Sequence, residues 1–302
     1  MRKQFCDALV GRSSAPNVVF LTGDLGFMAL EPLQAALGKR FINTGISEQN
    51  MLSVAAAMSK TGLEVWVYSI APFCYARPFE QIRNDVALHG LPVKIVGNGG
   101  GYGYGVMGPT HHAIEDYGVM LTLPGMQVCV PVFDEDIEAA VEQVGNNTCP
   151  TYMRLGRGEP PPSYHVPPFA PWRQLIEGSG PVVVAVGPLA STYIHVCQSM
   201  PVEQRPNLWA VSMLPVDVHE PPHALLRQLS ATQRLIVAEE HVRRGGLGSE
   251  LVLWLAERGA MPAYFKHLVA RAHRYERYGS QAYLRTQSGL DPNTLAGLLQ
   301  PQ

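Results

Sequence analysis

The stretch RFINTGISEQNM, residues 40–51, places a polar turn between a short extended segment and a helix of small residues. The pair at positions 41–42, Phe and Ile, has the character of a strand. Ser47 is a candidate N-cap for a helix that runs through Met58. The pattern therefore predicts that Glu48 lies in the first turn of this helix.

Glu48 is open to two interpretations. The dipole and the free N–H groups of a first helical turn favour a carboxylate, so the simpler interpretation is a capping glutamate. However, residues 52–58 (LSVAAAM) are small and mostly apolar, which is typical of a helix buried on most sides. A buried carboxylate is costly without a partner. If the partner is a ligand nitrogen, Glu48 is a catalytic acid or base; if it is a backbone amide, Glu48 is a cap.

Composition bounds the class of protein. The chain has 302 residues, 46% hydrophobic and 16% charged, which predicts a globular protein with enough length for two cores. A net charge of −2 without any basic block argues against nucleic acid as a partner. We expect no membrane span and no signal peptide, because polar residues, glycine or proline interrupt each apolar stretch. Five cysteines without a CxxC pair predict reduced thiols in a cytoplasmic protein and no zinc site.

Apolar, β-branched segments alternate with helical patterns along the chain. The first five predicted strands are 18–22, 64–69, 91–96, 126–131 and 151–158. A proline-rich segment, 159–177, is predicted to be an extended linker. Three further strands follow it, at 181–187, 208–211 and 234–240. We therefore predict an α/β fold with two domains, 1–158 and 178–302, each a largely parallel sheet flanked by helices.

Several candidate site residues follow predicted strands, where open α/β sheets bind ligands. Asp24 follows the first strand, although a turn aspartate explains it equally well. Phe73 could stack on a flat heteroaromatic ring or simply fill the core. Arg154 and Arg157, at the end of the fifth strand, could hold a phosphate or be surface charges.

A glycine-rich loop, residues 97–108, leads to His111 and His112. The loop can approach a ligand closely, but no Lys-Ser/Thr follows to make a phosphate-binding loop. Adjacent histidines on an extended chain face different ways, so we expect only one to face a site. Metal binding by the pair lacks a third ligand at usable spacing.

Five ordered motifs together carry a resemblance to a known family. They are GISEQNM (45–51), EQIRND (80–85), GPTHH (108–112), RLGRG (154–158) and EEH with GGLG (239–241 and 245–248). The chain resembles, over about residues 15–260, the C-terminal half of thiamine-diphosphate-dependent transketolases, in the split form where this half is a separate subunit. The resemblance implies a pyrimidine-binding domain followed by a transketolase C-terminal domain.

The resemblance also implies residue roles. Glu48 would hydrogen-bond to N1′ of the cofactor's aminopyrimidine, so that the 4′-imino group can deprotonate the thiazolium carbon. Phe73 would stack on the aminopyrimidine with Tyr75 beside it, and Asp24 would lie near the thiazolium. His111 would contact the substrate's carbonyl and hydroxyl oxygens. For the distal phosphate of a sugar, the implied ligands are Arg154 and Arg157.

The sequence departs from this family at two points. In this family Mg²⁺ and the diphosphate depend on a GDG motif followed by an Asn, and this sequence contains no GDG. We therefore expect Mg²⁺ to be held by a partner, an N-terminal-half transketolase subunit, in an α2β2 heterotetramer. Met107 stands where full-length transketolases carry an aspartate, which leaves the sugar substrate open.

Three functions are compatible with the sequence. The first is a split transketolase subunit that moves a two-carbon ketol unit between (phospho)sugars. The second is the β subunit of a 2-oxoacid dehydrogenase decarboxylase, and the third is a catalytically silent scaffold subunit. The GPTHH and RLGRG motifs favour the first, and the intact Glu48, Phe73 and His111 argue against the third.

Overall fold

The computed structural model describes residues 1–26, 28–271, 273 and 277–300. Within these residues the chain forms two mostly parallel sheets flanked by helices, as predicted. The end of the predicted second domain, residues 301–302, lies outside the described residues. None of the described helices combines the length and the apolar character that crossing a membrane requires.

The first sheet is built from the N-terminal half and one short strand of the C-terminal half. Its strands are β1 (Val18–Thr22), β2 (Phe41–Asn43), β3 (Glu64–Ile70), β4 (Lys94–Asn98), β5 (Gln127–Cys129), β6 (Thr151–Leu155) and β10 (Met213–Leu214). Their order is β10-β5-β6-β4-β3-β1-β2, with only β10 antiparallel to its neighbour among the described strands. β1 and β6 are buried at every position, as expected for strands covered by helices on both faces.

The second sheet is smaller. Its strands are β7 (Trp172–Ile176), β8 (Val182–Val186), β9 (Asn207–Val211), β11 (Arg234–Glu239) and β12 (Tyr264–Val269). Their order is β12-β11-β8-β9-β7, and β7 runs antiparallel to β9 at the edge. An apolar cluster that includes Val128 and Tyr152 of the first sheet continues into Val184 and Trp209 of the second, so the two halves pack against each other.

Helices fill the connections between the strands. They are α1 (Arg2–Arg12), α2 (Glu31–Leu37), α3 (Glu48–Lys60), α4 (Ala71–Tyr75), α5 (Phe79–Gln81), α6 (Asp116–Leu121), α7 (Ile137–Asn146), α8 (Leu189–Gln198), α9 (His223–Thr232), α10 (Leu247–Glu257), α11 (Gln281–Ser288) and α12 (Pro292–Leu299). Three 3₁₀ turns (Gly38–Arg40, Gly105–Met107, Asp134–Asp136) and a π-helical turn (Ile82–Ala87) complete these connections.

Two features differ from the sequence-based expectation about domain organisation. The predicted linker contains β7, an edge strand of the second sheet, whose Trp172, Leu175 and Ile176 are buried. The prolines before this strand favoured a prediction of an extended linker over that of a strand with a short apolar pattern. In addition, β10 lies in the C-terminal half of the sequence but pairs with β5 of the first sheet.

The helix that follows the RFINTGISEQNM stretch begins at Glu48, as predicted. Ser47 precedes it, but its side chain does not accept a hydrogen bond from the helix. Instead, Ser47 Oγ donates to the carbonyl oxygen of Thr44 at 2.5 Å. The serine therefore fixes the turn before the helix rather than its first N–H groups.

Candidate active site

Four of the predicted site residues lie in the connections at one edge of the first sheet. Asp24 follows β1, Glu48 follows β2, Phe73 follows β3, and His111 follows β4. These four strands are neighbours and run parallel, so their carboxyl ends meet at the same edge. This is the edge at which open α/β sheets bind ligands.

Glu48 is buried at this edge and its carboxylate is held by a cation. The residue is only 8% exposed, at the N-terminus of α3. Its Oε1 accepts a hydrogen bond from Arg77 Nη1 at 2.8 Å. The carboxylate is thus neither turned to bulk water nor tied only to its own main chain, and the partner comes from a different loop.

Phe73 and Arg77 form a stacked pair beside Glu48. The Cζ atom of Arg77 lies 3.9 Å from the centroid of the Phe73 ring. The two residues are four positions apart on and just after α4, a spacing that places side chains on the same face of a helical turn. A flat aromatic face therefore stands next to the Glu48 carboxylate, with a guanidinium covering it.

His111 joins this group from the glycine-rich loop. Its ring meets Phe73 edge-on, with 5.2 Å between the centroids, and lies 6.4 Å from the ring of Tyr104. Its Nδ1 is 2.9 Å from the hydroxyl oxygen of Thr110. His112 is buried, with Nε2 3.1 Å from the carbonyl oxygen of Gly105, and burial lowers the pKa of its ring. The two adjacent histidines thus face different ways, as predicted.

Asp24 is exposed and connected to the Glu48 segment through the backbone. Its N–H donates to the carbonyl oxygen of Gly45 at 3.2 Å. Its Oδ1 accepts from Asn43 Nδ2 at 3.3 Å, and Asn43 Oδ1 in turn accepts from the N–H of Gly45 at 2.8 Å. Gly45 has φ +70°, which a residue with a side chain rarely adopts. The loops after β1 and β2 are therefore held together as one surface.

Tyr75 is not brought to the face of Phe73. It is buried, and its hydroxyl donates to Glu115 Oε2 at 3.4 Å. Burial raises the pKa of this phenol far above its ordinary value. Positions two apart on a helical turn point to nearly opposite sides, which explains why Phe73 faces the site while Tyr75 faces the core.

Arg154 is also turned away from the site. The side chain is buried, its Nη1 lies 3.2 Å from Asp116 Oδ1, and its Nη2 donates to the carbonyl oxygen of Glu240 at 3.0 Å. Its guanidinium also lies 5.2 Å from the ring centroid of Tyr117. In this arrangement Arg154 joins the first sheet to the C-terminal half, and its guanidinium is already engaged by an anion.

Arg157 lies beyond the end of β6 and is exposed. It lines a cleft of about 470 Å³ together with Asn98 and Tyr104. The Tyr104 hydroxyl accepts from Asn98 Nδ2 at 2.7 Å. Tyr104 lines this cleft and also neighbours His111, whereas Glu48, Phe73 and His111 do not line the cleft themselves.

A buried cluster of charges joins the two halves behind the site. Glu239 accepts hydrogen bonds from the Tyr117 hydroxyl at 2.5 Å and from the N–H of Leu247 at 2.8 Å, and its Oε1 lies 2.5 Å from His267 Nε2. Glu240 accepts from the N–H of Tyr102, within the glycine-rich loop, at 2.6 Å. The EEH motif thus anchors the loop that carries His111.

The burial of these two glutamates does not make them neutral. Burial by itself raises the pKa of Glu239, but the hydrogen bond from His267 and the nearby histidine charges outweigh it and leave the pKa below its ordinary value. For Glu240, the charges of Arg285 and Arg154 overcome the effect of burial and lower the pKa. Both carboxylates are therefore held as anions at the junction.

Sequence reasoning did not assign Arg77 or Tyr104 to the site. The spacing of four between Phe73 and Arg77 was an available signal, since it places the guanidinium above the ring. No local sequence pattern indicated Tyr104, because the fold of the loop brings its ring near His111.

Two further observations concern metal ions and a second cleft. Among them, no three or more His, Cys, Asp or Glu side chains are grouped to hold a metal ion. A larger cleft, of about 660 Å³, lies between the 121–127 loop and α10, and none of the predicted site residues lines it.

Comparisons with known proteins agree with this architecture. Residues 12–162 match the family model for the transketolase pyrimidine-binding domain. The chain is 32% identical over 267 residues to one subunit of the apulose-4-phosphate transketolase of Phocaeicola vulgatus, covering 85% of this chain and 83% of that protein. It is 29% identical over 269 residues to a 1-deoxy-D-xylulose-5-phosphate synthase of Syntrophotalea carbinolica, covering 85% of this chain but only 40% of the synthase.

A solved structure matches almost the whole chain. It is a split gene transketolase described as an inactive beta4 tetramer, with 29% identity, a TM-score of 0.84, and coverage of 99% of this chain and 96% of that one. The match therefore extends through both sheets rather than through the pyrimidine-binding domain alone. A family model matches the first sheet, and a solved separate subunit matches nearly the full length of the chain. The chain therefore belongs to the transketolase family, as a subunit of the C-terminal-half type.

Proposed function

We propose that this chain is a subunit of a split thiamine-diphosphate-dependent transketolase that transfers a two-carbon ketol unit between (phospho)sugars. The observation that carries the proposal is the buried carboxylate of Glu48 beside the flat face of Phe73, at the ligand-binding edge of the sheet. Thiamine diphosphate is the general cofactor of this family.

The residues present fit the aminopyrimidine part of that cofactor. A flat nitrogen heterocycle needs an apolar surface to stack on and a buried group that can share a proton with a ring nitrogen. Phe73 offers the first and Glu48 the second, and the two are adjacent through Arg77. When bound, thiamine diphosphate supplies a thiazolium carbon that can add to the carbonyl group of a ketose.

Each residue of the chain then has a limited task. Glu48 would share a proton with the pyrimidine N1′, and Phe73 would fix the plane of that ring. His111, next to Phe73, donates a hydrogen bond to oxygens of the substrate on which negative charge develops. Asp24, which is hydrogen-bonded to the Glu48 loop, would lie near the thiazolium. Arg157, in the cleft that Tyr104 also lines, would hold a distal phosphate of the sugar.

We also propose that the site is completed by an N-terminal-half subunit that holds Mg²⁺ and the diphosphate, in an α2β2 assembly. Four large apolar side chains are exposed on loops next to the candidate residues: Met28 after Asp24, Ile46 before Glu48, and Val106 with Met107 before His111. Exposed apolar groups clustered around a site are typical of a surface that a partner covers. The Phocaeicola vulgatus relative is named as one subunit of its transketolase, which also implies a second subunit in that enzyme.

The experiment that tests the function is reconstitution. The chain is co-expressed with a candidate N-terminal-half subunit, and the purified complex is assayed with Mg²⁺, thiamine diphosphate and a panel of ketol donors that includes apulose 4-phosphate. We expect ketol transfer by the complex and none by the chain alone. Activity of the isolated chain would refute the shared site. Formation of 1-deoxy-D-xylulose-5-phosphate, or decarboxylation of a 2-oxo acid without ketol transfer, would replace the transketolase assignment.

Glu48→Gln tests the catalytic role directly. Gln keeps the size of the side chain but cannot share a proton in the same way, so we expect turnover to fall by at least about 100-fold, as for the loss of a general acid–base. Assembly and cofactor affinity should remain within a few-fold. The matched control is Glu138→Gln, which changes an exposed glutamate in the first turn of α7, outside the site. Turnover of the Glu48 variant within threefold of the parent would remove Glu48 from the mechanism.

A further inference from the structure

Arg77 makes two contacts that the proposed function assigns to the aminopyrimidine ring. Its guanidinium lies over the ring of Phe73, with Cζ 3.9 Å from the centroid. At the same time its Nη1 donates to Glu48 Oε1 at 2.8 Å. A guanidinium is planar, cationic and a donor in its own plane, so it resembles a flat heterocycle protonated at a ring nitrogen.

We propose that Arg77 is a positioning residue that takes the place of the aminopyrimidine in the cofactor-free chain and withdraws when the cofactor enters. The inference rests on the proposed function, because it takes Phe73 and Glu48 to be the wall and the acid of the cofactor site. Arg77 holds both of them in the arrangement that the ring will use. It also removes the cost of a buried carboxylate without a partner.

The surroundings of Arg77 allow its side chain to move while its backbone stays fixed. The side chain is 47% exposed, so the guanidinium can be rehydrated when it leaves. The backbone is bounded by α4 on one side and by the buried Pro78 on the other, and proline restricts φ. Ion pairs and cation–π contacts at exposed positions are weak, so an entering ring can replace them.

A competing side chain must weaken cofactor binding by the amount of its own contacts. Removing the guanidinium should therefore tighten binding of thiamine diphosphate. We expect Arg77→Met to lower the Kd three- to tenfold, where tenfold corresponds to about 1.4 kcal/mol. Arg77→Lys keeps the charge but loses the flat face, and we expect it to lower the Kd at least twofold.

The test is a titration of the cofactor-free complex of this chain and its partner subunit with thiamine diphosphate, in the presence of Mg²⁺, by isothermal calorimetry. The matched control is Arg258→Met. Arg258 makes the same two kinds of contact: its Cζ lies 4.0 Å from the ring centroid of Trp254, and its Nη2 lies 3.2 Å from Glu220 Oε1. It lies just after α10, away from the candidate site. We expect the Kd of this control to be unchanged.

The outcomes are decisive. An unchanged or a higher Kd for Arg77→Met overturns the proposal. A higher Kd, which means weaker binding, would make Arg77 a direct ligand of the cofactor. If the Met variant does not give a folded complex, the Lys variant decides, and an unchanged Kd there overturns the proposal equally. In a Glu48→Gln background the effect of Arg77→Met should shrink, because one of its two contacts has been weakened. If the unmodified complex does not bind thiamine diphosphate at all, the proposed function fails as well. If the complex binds the cofactor but the Arg77 variants do not lower the Kd, this inference alone fails.

Discussion

Glu240 at the junction of the two halves provides a quantitative test of how the site is held together. The residue is 6% exposed, and its carboxylate accepts from the N–H of Tyr102 at 2.6 Å and from Gln281 Nε2 at 3.0 Å. It also accepts from two nitrogens of Arg285, at 2.8 and 2.6 Å. The perturbation is Glu240→Gln, which preserves size but turns one acceptor oxygen into a donor that faces other donors.

The expected cost follows from the burial of the pair. Removing one partner of a buried, hydrogen-bonded ion pair typically costs about 3–5 kcal/mol, because the other charge remains buried and uncompensated. Arg285 is itself only 12% exposed, but the substituted amide still accepts one hydrogen bond, so we expect about 3 kcal/mol. This is a large part of the 5–15 kcal/mol that stabilises a typical domain.

The assay is urea unfolding of the purified chain at pH 7 and 25 °C, followed by circular dichroism. Glu257→Gln is the control. Glu257 is exposed and its ion pair with Arg258 is long, at 3.9 Å, so the substitution should cost less than about 0.5 kcal/mol. The double variant Glu240→Gln with Arg285→Met should cost less than the sum of the two single variants. A loss below about 1 kcal/mol for Glu240→Gln would refute the reasoning that this carboxylate joins the two halves.

Two further predictions concern the same junction. The folded-state pKa of Glu240 lies below its ordinary value, so its stabilising contribution is complete above about pH 4.3 and is lost as the pH falls through the folded-state pKa. The difference in unfolding free energy between the parent and Glu240→Gln should therefore shrink in acid. A difference that is constant from pH 7 to pH 3 would contradict this. Gly246→Ala should destabilise the chain by about 1–3 kcal/mol in the same urea assay, because its Cβ would come within 2.4 Å of a carboxylate oxygen of Glu239 that backbone N–H groups hold in place. Gly11→Ala, in a helix with open space around it, should be neutral or stabilising, and equal effects of the two substitutions would argue against the steric explanation.

Much of the fold could be predicted because the signals are local. Buried strands such as β1 and β6 carry continuous apolar runs, and α3 begins at Glu48 as the small-residue pattern indicated. The three strands that the pattern did not reveal, β7, β10 and β12, all lie at sheet edges. Their assignment depends on which neighbour they pair with, and a strand of two to six residues does not encode that in its own pattern.

The candidate site was predictable in part for the same reason. The loops that end parallel strands must lie at one edge, so Asp24, Glu48, Phe73 and His111 could be grouped from the order of elements. Arg154 could not be assigned in this way. As part of the RLGRG motif it resembled a phosphate ligand, yet in the fold its guanidinium pairs with Asp116, which is 38 positions away.

The amino-acid sequence by itself determined the alternation of strands and helices, the position of Glu48 at the head of a buried helix, and the family. Only the tertiary structure decided which partner Glu48 has, which of two neighbouring histidines is buried, and that the guanidinium of Arg154 pairs with Asp116. The physical reason is the range of the interactions. The burial of an apolar run depends on the residue and its immediate neighbours, whereas the partner of a charge depends on which distant segments the order of the sheet brings within hydrogen-bonding distance.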